Sequence, residues 1–260
     1  MNDFKESVRA ELISVLKKDE HALAAWEGGS AANGTSDLYS DIDLIVIAKD
    51  SVTAIFELIE AALNRVSRIS YKYVEPKCFW PGCYQRIYFL EDAPKHFFVD
   101  IAVFSETSRE VLAEYMQPER HGNPVIHFDK ADIVKPTLSD PALLKSLHLR
   151  RLNEIEAAYP IFKLEVLKEL DREHPIDAYS FYFMAVIRPM VELMGILYRP
   201  FRYDFGLRYL HRTFPEKDQK LIERLIYVGD AAALRERMIE ADRLIGDVIR
   251  RVHEKLNIHG

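Results

Sequence analysis

The sequence of 260 residues predicts an α/β (α+β) protein in which a mixed β-sheet with flanking helices precedes an all-helical bundle. Three observations predict this architecture. Short β-branched or apolar runs bounded by turn residues are confined to the first half of the chain. After residue 140, apolar residues recur at steps of three and four, which is typical of helices. The charge balance changes at the same point, from −7 over residues 1–139 to +1 over residues 140–260.

Local patterns define the elements of the first half. Helices are expected over residues 3–18 and 51–66, the second with Ser51 as its N-cap. Strands are expected where β-branched, aromatic and other apolar residues cluster, over 22–27, 42–48, 69–74, 84–90 and 97–104. Residues 31–40 are small and polar, so no core element is expected there, and residues 127–130 are expected to be a strand running into a turn.

Four or five helices are predicted in the second half, within four segments of helical spacing. These segments cover about 141–172, 177–198, 216–228 and 231–256. Proline or glycine lies between successive segments, at Pro175, Pro200, Pro215 and Gly229. We therefore expect an N-terminal domain of residues 1–138 and a helical domain of residues 139–260.

The composition excludes several classes of protein. A hydrophobic content of 48% with 29% charged residues excludes a disordered chain. The N-terminus has no basic start followed by an apolar block, and no apolar run approaches the ~18 residues of a membrane span, so a cytoplasmic protein without a membrane partner is expected. The net charge of −6 argues against a non-specific nucleic-acid binder.

The two cysteines, Cys78 and Cys83, flank a predicted turn at residues 79–82. Two cysteines cannot complete a structural zinc site, and this spacing is not that of a Cys-x-x-Cys motif. We expect two reduced thiols near a hairpin, with a redox pair as the alternative.

Two acidic residues open the predicted strand at 42–48. Because side chains alternate along a strand, Asp41 and Asp43 lie on one face while Ile42 points to the other. Two carboxylates this close repel each other unless a cation lies between them. Hard oxygen ligands on a strand suit Mg²⁺, which usually takes one or two carboxylates together with substrate phosphates.

Two further features fit the same chemistry. The turn Gly28-Gly29-Ser30 would let the backbone approach a ligand closely, and a helix starting there would offer N–H donors to a phosphate. Asp100 is the single acid in an apolar run, where burying it ionised without a partner would cost several kcal/mol. Three carboxylates could hold two metal ions for an in-line phosphoryl or nucleotidyl displacement.

Together these residues resemble the DNA polymerase beta-type nucleotidyltransferase superfamily: Gly-Ser, about ten residues, Asp-x-Asp, and a distant third acid. Gly29-Ser30 followed by Ser40-Asp41-Ile42-Asp43-Leu44 is similar to the aminoglycoside adenylyltransferase branch, which also couples this domain to a helical one. The resemblance implies a nucleotide site at Gly28, Gly29, Ser30 and Ser40. It also implies that Asp41, Asp43 and Asp100 bind Mg²⁺, two ions in all, and carry catalysis.

The implied activity is transfer of a nucleoside monophosphate, AMP from ATP, to a hydroxyl of a small molecule such as an aminoglycoside. Asp100 is the most economical general base, and a glutamate of the helical half is the alternative. Two other functions stay open: the same transfer to a protein or RNA target, as in toxin–antitoxin-like or AMPylating enzymes, and a non-catalytic nucleotide-binding module. The negative net charge disfavours RNA.

A second group of candidate residues lies in the helical half, where arginines and tyrosines cluster over residues 186–212. Arginine binds phosphate with paired donors and tyrosine stacks on rings. We therefore expect a contribution to acceptor or phosphate binding from Arg188, Tyr198, Arg199, Arg202 and Tyr203. The alternative is a connection between helices whose arginines pair with neighbouring acids. A kink at Pro189 would turn Arg188 inward.

Overall fold

The β-branched runs of the first half form one six-stranded sheet. A computed structural model describes residues 2–78 and 80–257, and the chain divides into two compact units, Met1–Ser139 and Asp140–Gly260. The strands are β1 (Ala22–Glu27), β2 (Ile42–Ala48), β3 (Ile69–Val74), β4 (Cys83–Leu90), β5 (Val99–Ser105) and β6 (Val125–Asp129). Their order is β3-β4-β5-β2-β1-β6, and β2 and β5 are parallel while the other neighbours are antiparallel. The predicted mixed sheet is confirmed.

Among the residues that the structure describes, five helices complete the first unit. They are α1 (Asn2–Lys18), α2 (Gly29–Ala32), α3 (Val52–Val66), α4 (Arg109–Tyr115) and α5 (Pro118–His121). The Ser51 side chain accepts a hydrogen bond of 3.2 Å from the Ala54 N–H, so the predicted N-cap is confirmed. The short helices α4 and α5 were not predicted, because neither spans enough turns to show a periodic pattern.

The two faces of the sheet bury different side chains. On one face, alternate residues of β2 and β5 such as Val46 and Val103 pack with the apolar stripes of α1 and α3. On the other face, Ile45 and Phe104 pack with Leu112 of α4. Because side chains alternate along a strand, Asp43 and Asp100 lie on this second face. The apolar core on this second face therefore packs next to the carboxylates and holds their strands in place.

The second unit is helical throughout its regular elements. They are α6 (Pro141–Asp171), α7 (Pro175–Tyr182), a π-helical turn (Phe183–Ile187), α8 (Arg188–Tyr198), a 3₁₀ turn (Pro200–Arg202), α9 (Leu210–Thr213), α10 (Glu216–Ile226) and α11 (Ala231–Leu256). Asp140 and Asp230 cap α6 and α11 by accepting from the Ala142 and Ala233 N–H groups. The predicted helical bundle is confirmed.

The segment Pro175–Tyr198 combines α7, the π-helical turn and α8. It is long and apolar enough to cross a membrane, with a mean hydropathy of 1.4 in its most apolar window, yet half of that window is buried inside the protein. Its buried residues, among them Val186 and Met190, belong to the core of the second unit. This segment is therefore a core helix of the bundle.

Candidate functional site

The pairing of β2 with β5 brings two of the predicted acids together. The two strands run parallel, and in their register Asp43 lies directly beside Asp100. Both are the second residue of their strand, and Asp41 lies just ahead of β2. Three carboxylates thus meet at one end of two central strands, although the segments that supply them are more than fifty residues apart in the chain.

Hydrogen bonds fix two of these carboxylates. The backbone N–H of Phe98 donates to Asp41 Oδ1 over 3.0 Å. The Gln85 Nε2 atom on β4 lies 2.8 Å from both carboxylate oxygens of Asp100. Gln85 was not predicted, because a glutamine in a strand gives no indication of which residue the neighbouring strand places beside it.

Burial and neighbouring charges raise the pKa of Asp41 and of Asp100. Burial and, to a smaller extent, the charges of Asp43 and Asp41 raise the pKa of Asp100 to about 6, although the hydrogen bond from Gln85 opposes the rise. Burial and the charge of Asp43 also raise the pKa of Asp41. These carboxylates are hard oxygen donors whose negative charges repel one another. A bound Mg²⁺ would relieve that repulsion, so the residues fit this ion.

A lysine from α1 lies near this negative charge. Lys5 Nζ donates to the Ser40 carbonyl over 2.8 Å. Burial and the charge of Arg9 lower the pKa of Lys5, whereas the charges of Asp41 and Asp43 raise it. Lys5 is thus a cation of the chain itself beside the acidic cluster, and it was missed because its position in α1 follows only from the packing of that helix.

The predicted glycine turn lies against Asp43. The Gly28 N–H donates to the Asp43 carbonyl over 2.9 Å, and Gly29 has φ +52°, a conformation that other residues rarely adopt. A Cβ on Gly29 would lie 1.8 Å from Asp43 Oδ2. Only glycine therefore lets the first turn of α2 approach the carboxylate this closely.

The two predicted serines have different surroundings. Ser30 is the second residue of α2, and its hydroxyl lies 3.3 Å from that of Ser36. The Ser40 hydroxyl donates to Asp37 Oδ1 and accepts from the Asp37 N–H, each over 2.9 Å, so it closes a turn. The structure gives the Ser40 hydroxyl a local partner and places Ser30 at a helix start.

Tyr115 of α4 lies under the site and was not predicted. Burial raises its pKa, and the charges of Asp43 and Asp100 add to the rise. Its hydroxyl would lie 3.2 Å from a Cβ on Gly28, and its ring stacks on that of His121 with centroids 5.0 Å apart. Tyr115 therefore fills the space between the glycine turn and the sheet.

The cysteine pair lies on the same side of the sheet as Tyr115. Cys78 and Cys83 are free thiols, and burial together with a hydrogen bond to Cys78 raises the pKa of Cys83. The Cys83 N–H donates to the Trp80 carbonyl over 3.1 Å, so the chain turns here. Phe79, the first residue of the predicted turn, lies outside the described residues.

Two of the predicted arginine and tyrosine residues of the second unit are engaged by the unit itself. Arg199 is only 6% exposed, and its guanidinium donates to the carbonyls of Gly206 and Arg208. The Tyr198 hydroxyl donates to Asp218 Oδ2 over 2.7 Å. For these two residues the structure gives the role of a connection between helices.

The other three residues of that group have varied settings. Arg188 is exposed and lies 3.6 Å from Met184 Sδ, so the expectation that it turns inward is wrong. A π-helical turn precedes Arg188 and accommodates Pro189 within the helix. A proline alone does not predict such a turn. The Tyr203 ring packs edge-on against His148 with centroids 4.8 Å apart, and Arg202 lies over the Phe205 ring at 6.0 Å.

A separate cluster of possible metal ligands lies in the second unit, between α6 and α7. Ligand atoms of Glu169, His174 and Asp177 come within 4.8 Å of one another. Glu169 already pairs with Arg172, and its carboxylate forms a hydrogen bond of 2.9 Å with His174 Nδ1. These internal contacts account for the cluster as a turn between two helices.

No protein-family model and no curated protein matches the sequence. Several solved structures are similar, including the following two. An aminoglycoside 6-adenyltransferase from Bacillus subtilis has 11% identity and a TM-score of 0.41, over 98% of this chain and 91% of that one. A spectinomycin adenyltransferase, AAD(9), from Enterococcus faecialis, solved with ATP and spectinomycin, has 10% identity and a TM-score of 0.38, over 97% of this chain and 99% of that one.

Proposed function

We propose that this protein is a Mg²⁺-dependent nucleotidyltransferase that moves AMP from ATP to a hydroxyl of a small cationic molecule. The observation that carries the proposal is the register of β2 and β5, which sets Asp43 beside Asp100 and next to a glycine turn that only Gly29 can form. A phosphate turn and a carboxylate cluster in contact are the two parts that nucleotidyl transfer requires.

Each part has a task in this reaction. The first turn of α2 presents amide N–H groups without helical partners, as every helix start does, and with the Ser30 hydroxyl these would hold the terminal phosphates. Asp41, Asp43 and Asp100 would hold two Mg²⁺ ions, which when bound neutralise the triphosphate and lower the pKa of the attacking hydroxyl. Ser40 acts by shaping the loop that delivers Asp41.

In the chemical step the acceptor oxygen forms a bond to the α-phosphorus of ATP. The bond from that phosphorus to the oxygen bridging the β-phosphate breaks, and its electron pair leaves with pyrophosphate. Asp100 is the carboxylate suited to take the hydroxyl proton, because burial and the charges of Asp43 and Asp41 raise its pKa to about 6 and make it more basic than an ordinary carboxylate.

The charge of the first unit supports a cationic acceptor. Residues 1–139 carry 22 acidic and 15 basic side chains, and a negative field attracts and orients positive substrates. Aminoglycosides and aminocyclitols, which carry both hydroxyl and ammonium groups, have this chemistry. The activity and a cytoplasmic location are both part of the proposal.

The test follows label from [α-³²P]ATP into an acceptor. The intact chain is incubated with Mg²⁺ and spectinomycin, kanamycin or a protein lysate, with EDTA as the metal control. We expect labelled antibiotic and released pyrophosphate, and loss of both with EDTA. Label in lysate proteins alone would assign the transfer to a protein target, and unmodified ATP in every reaction would overturn the proposal.

A further inference from the structure

A group of aromatic side chains, three of them exposed and Phe98 half-buried, lies beside the carboxylates on β3, β4 and the residue that precedes β5. It consists of Tyr71, Tyr73, Phe89 and Phe98, called here the aromatic shelf. Tyr71 is 58% exposed and Phe89 is 40% exposed, which is unusual for rings in the middle of paired strands.

The alternation of strand residues puts the shelf on the face of the carboxylates. Lys72, Arg86 and Tyr88 all contact Glu60 of α3, so their side chains point to the helical face. Tyr71 and Phe89 pair with each other and are the neighbours of Lys72 and Tyr88 in their strands. Their side chains therefore point to the opposite face. That is the face of Asp100.

The shelf is continuous with the acidic cluster. Ile87 lies in register with both Tyr73 and Asp100, and the backbone of Phe98 holds Asp41. The rings of Phe89 and Phe98 have centroids 5.9 Å apart, and those of Tyr71 and Phe89 5.8 Å apart. An unbroken row of rings thus runs from the carboxylates to the edge of the sheet.

The strand order puts the shelf and the glycine turn on opposite sides of the carboxylates. In the order β3-β4-β5-β2-β1-β6, the acids lie on or next to β2 and β5, the turn follows β1, and the shelf lies toward β3. In an in-line displacement the nucleophile enters opposite the leaving group. With pyrophosphate at the glycine turn, the attacking hydroxyl approaches from the side of the shelf.

We infer that the aromatic shelf is the acceptor subsite, and that the acceptor is a ring compound with ammonium groups; this rests on the proposed function. Aromatic faces attract ammonium groups and pack on the apolar faces of saturated rings. Glu75, which accepts a hydrogen bond of 3.0 Å from the Tyr73 hydroxyl, adds negative charge at the far end. Three carboxylates at one end and one at the other suit a ligand with several positive charges.

The test removes one ring at a time and measures both substrates. Tyr71→Ala and Phe89→Ala should each raise the KM for kanamycin or spectinomycin about tenfold and leave the KM for ATP unchanged. Tyr71→Phe and Phe89→Tyr, which keep the ring, should restore the wild-type KM. Tyr84→Ala is the matched control, because Tyr84 is 55% exposed on the same strand but pairs with Val103 on the helical face.

Several outcomes would overturn the inference. An unchanged acceptor KM in both alanine variants of an active protein would remove the subsite and leave the proposed transfer intact. A raised KM for ATP alone would assign the rings to the nucleobase. Variants that change sedimentation from dimer to monomer with unchanged kinetics would make the shelf a contact between copies. A wild-type protein that transfers AMP to neither antibiotic would remove both the subsite and the small-molecule acceptor.

Discussion

The carboxylates of the first unit and the arginine–tyrosine segment of the second unit are both groups of polar residues at which the sequence predicts a site, but their side chains have different surroundings. Arg199 is buried and donates to two backbone carbonyls, and Tyr198 donates to Asp218. Asp41 and Asp100 are held in place by hydrogen bonds and still have raised pKa values, because they are partly buried and like charges lie beside them. A group of like charges that the fold brings together at a cost in free energy is a better indication of a functional site than a charged side chain whose hydrogen-bond partners lie within its own unit.

The largest effect should come from the carboxylates. Asp43→Asn removes a charged oxygen donor from the centre of the cluster, so AMP transfer should fall by about a thousandfold or more with every acceptor. The melting temperature should stay at or above that of the wild type, because repulsion between carboxylates is relieved. Transfer and thermal unfolding are measured on the same preparation.

The control for this variant is Glu57→Gln, which removes one negative charge from an exposed position of α3. It should leave transfer and melting unchanged. Full turnover by Asp43→Asn would contradict the metal-ligand role, and a large drop in its melting temperature would mean that Asp43 is structural.

The comparison predicts the opposite pattern for Arg199. Arg199→Gln leaves the carbonyls of Gly206 and Arg208 without a charged donor, so the second unit should lose about 3 kcal/mol of stability. Circular dichroism at 222 nm follows mainly the helical unit, while the fluorescence of Trp26 and Trp80 reports on the first.

Arg188→Gln is the matched control, because Arg188 is exposed and should change stability by no more than about 0.5 kcal/mol. Calorimetry with Mg²⁺ and a non-hydrolysable ATP analogue completes the test. If Arg199→Gln lost nucleotide affinity while its fold stayed intact, the two regions would share one function and the comparison would fail.

The raised pKa of Asp100 makes stability depend on pH. Between 3.8, its ordinary value, and about 6, the folded chain holds a proton that the unfolded chain has released. The free energy of unfolding therefore falls as pH rises through this interval, by about 3 kcal/mol, and becomes level above it. Urea unfolding of metal-free protein at pH 4 and pH 7.5 measures this fall.

Asp100→Asn should abolish this part of the pH dependence. Glu27 gives the contrast within the same sheet: hydrogen bonds from His127 and Arg9 hold its pKa at about 2, so its contribution to stability is lost only as pH falls toward that value. Equal pH profiles for the wild type and Asp100→Asn would show that folding does not raise the pKa of Asp100.

A smaller effect separates contact from backbone strain at the glycine turn. Gly29 and Gly34 both have positive φ, +52° and +62°, but a Cβ meets Asp43 only at Gly29 and nothing within 4 Å at Gly34. Gly34→Ala should cost about 1 kcal/mol of stability and keep activity. Gly29→Ala should cost about 2 kcal/mol more and reduce ATP binding.

Thermal unfolding and the KM for ATP of both variants decide this point. The interpretation fails if the two substitutions change the KM for ATP equally, since ATP binding would then not require the close approach of the glycine turn to Asp43.

Much of the fold and part of the site could be predicted from sequence. The strands and helices were predictable because their patterns are local. Examples are the β-branched run in β2 and the apolar residues at steps of three and four in α6 and α11. Asp41 and Asp43 were recognisable because their spacing carries its meaning within one strand.

The residues that were missed depend on long-range placement. Gln85 contributes only because β4 pairs with β5 in a particular register, and Phe98 only because β5 lies beside β2, and no short segment encodes either pairing. Tyr115 belongs to a helix too short to show a periodic pattern. Arg188 was misplaced because a π-helical turn changes which direction the following residues face.

The parallel pairing of β2 with β5 also has a kinetic consequence. Asp41 and the Phe98 amide that holds it are 57 residues apart, with the β3–β4 hairpin folded between them, so the site forms only after a long loop has closed. Contacts of such high order usually appear late on the folding pathway. A nucleotide that requires the finished register would therefore slow unfolding without accelerating folding, and would lengthen the lifetime of the native protein.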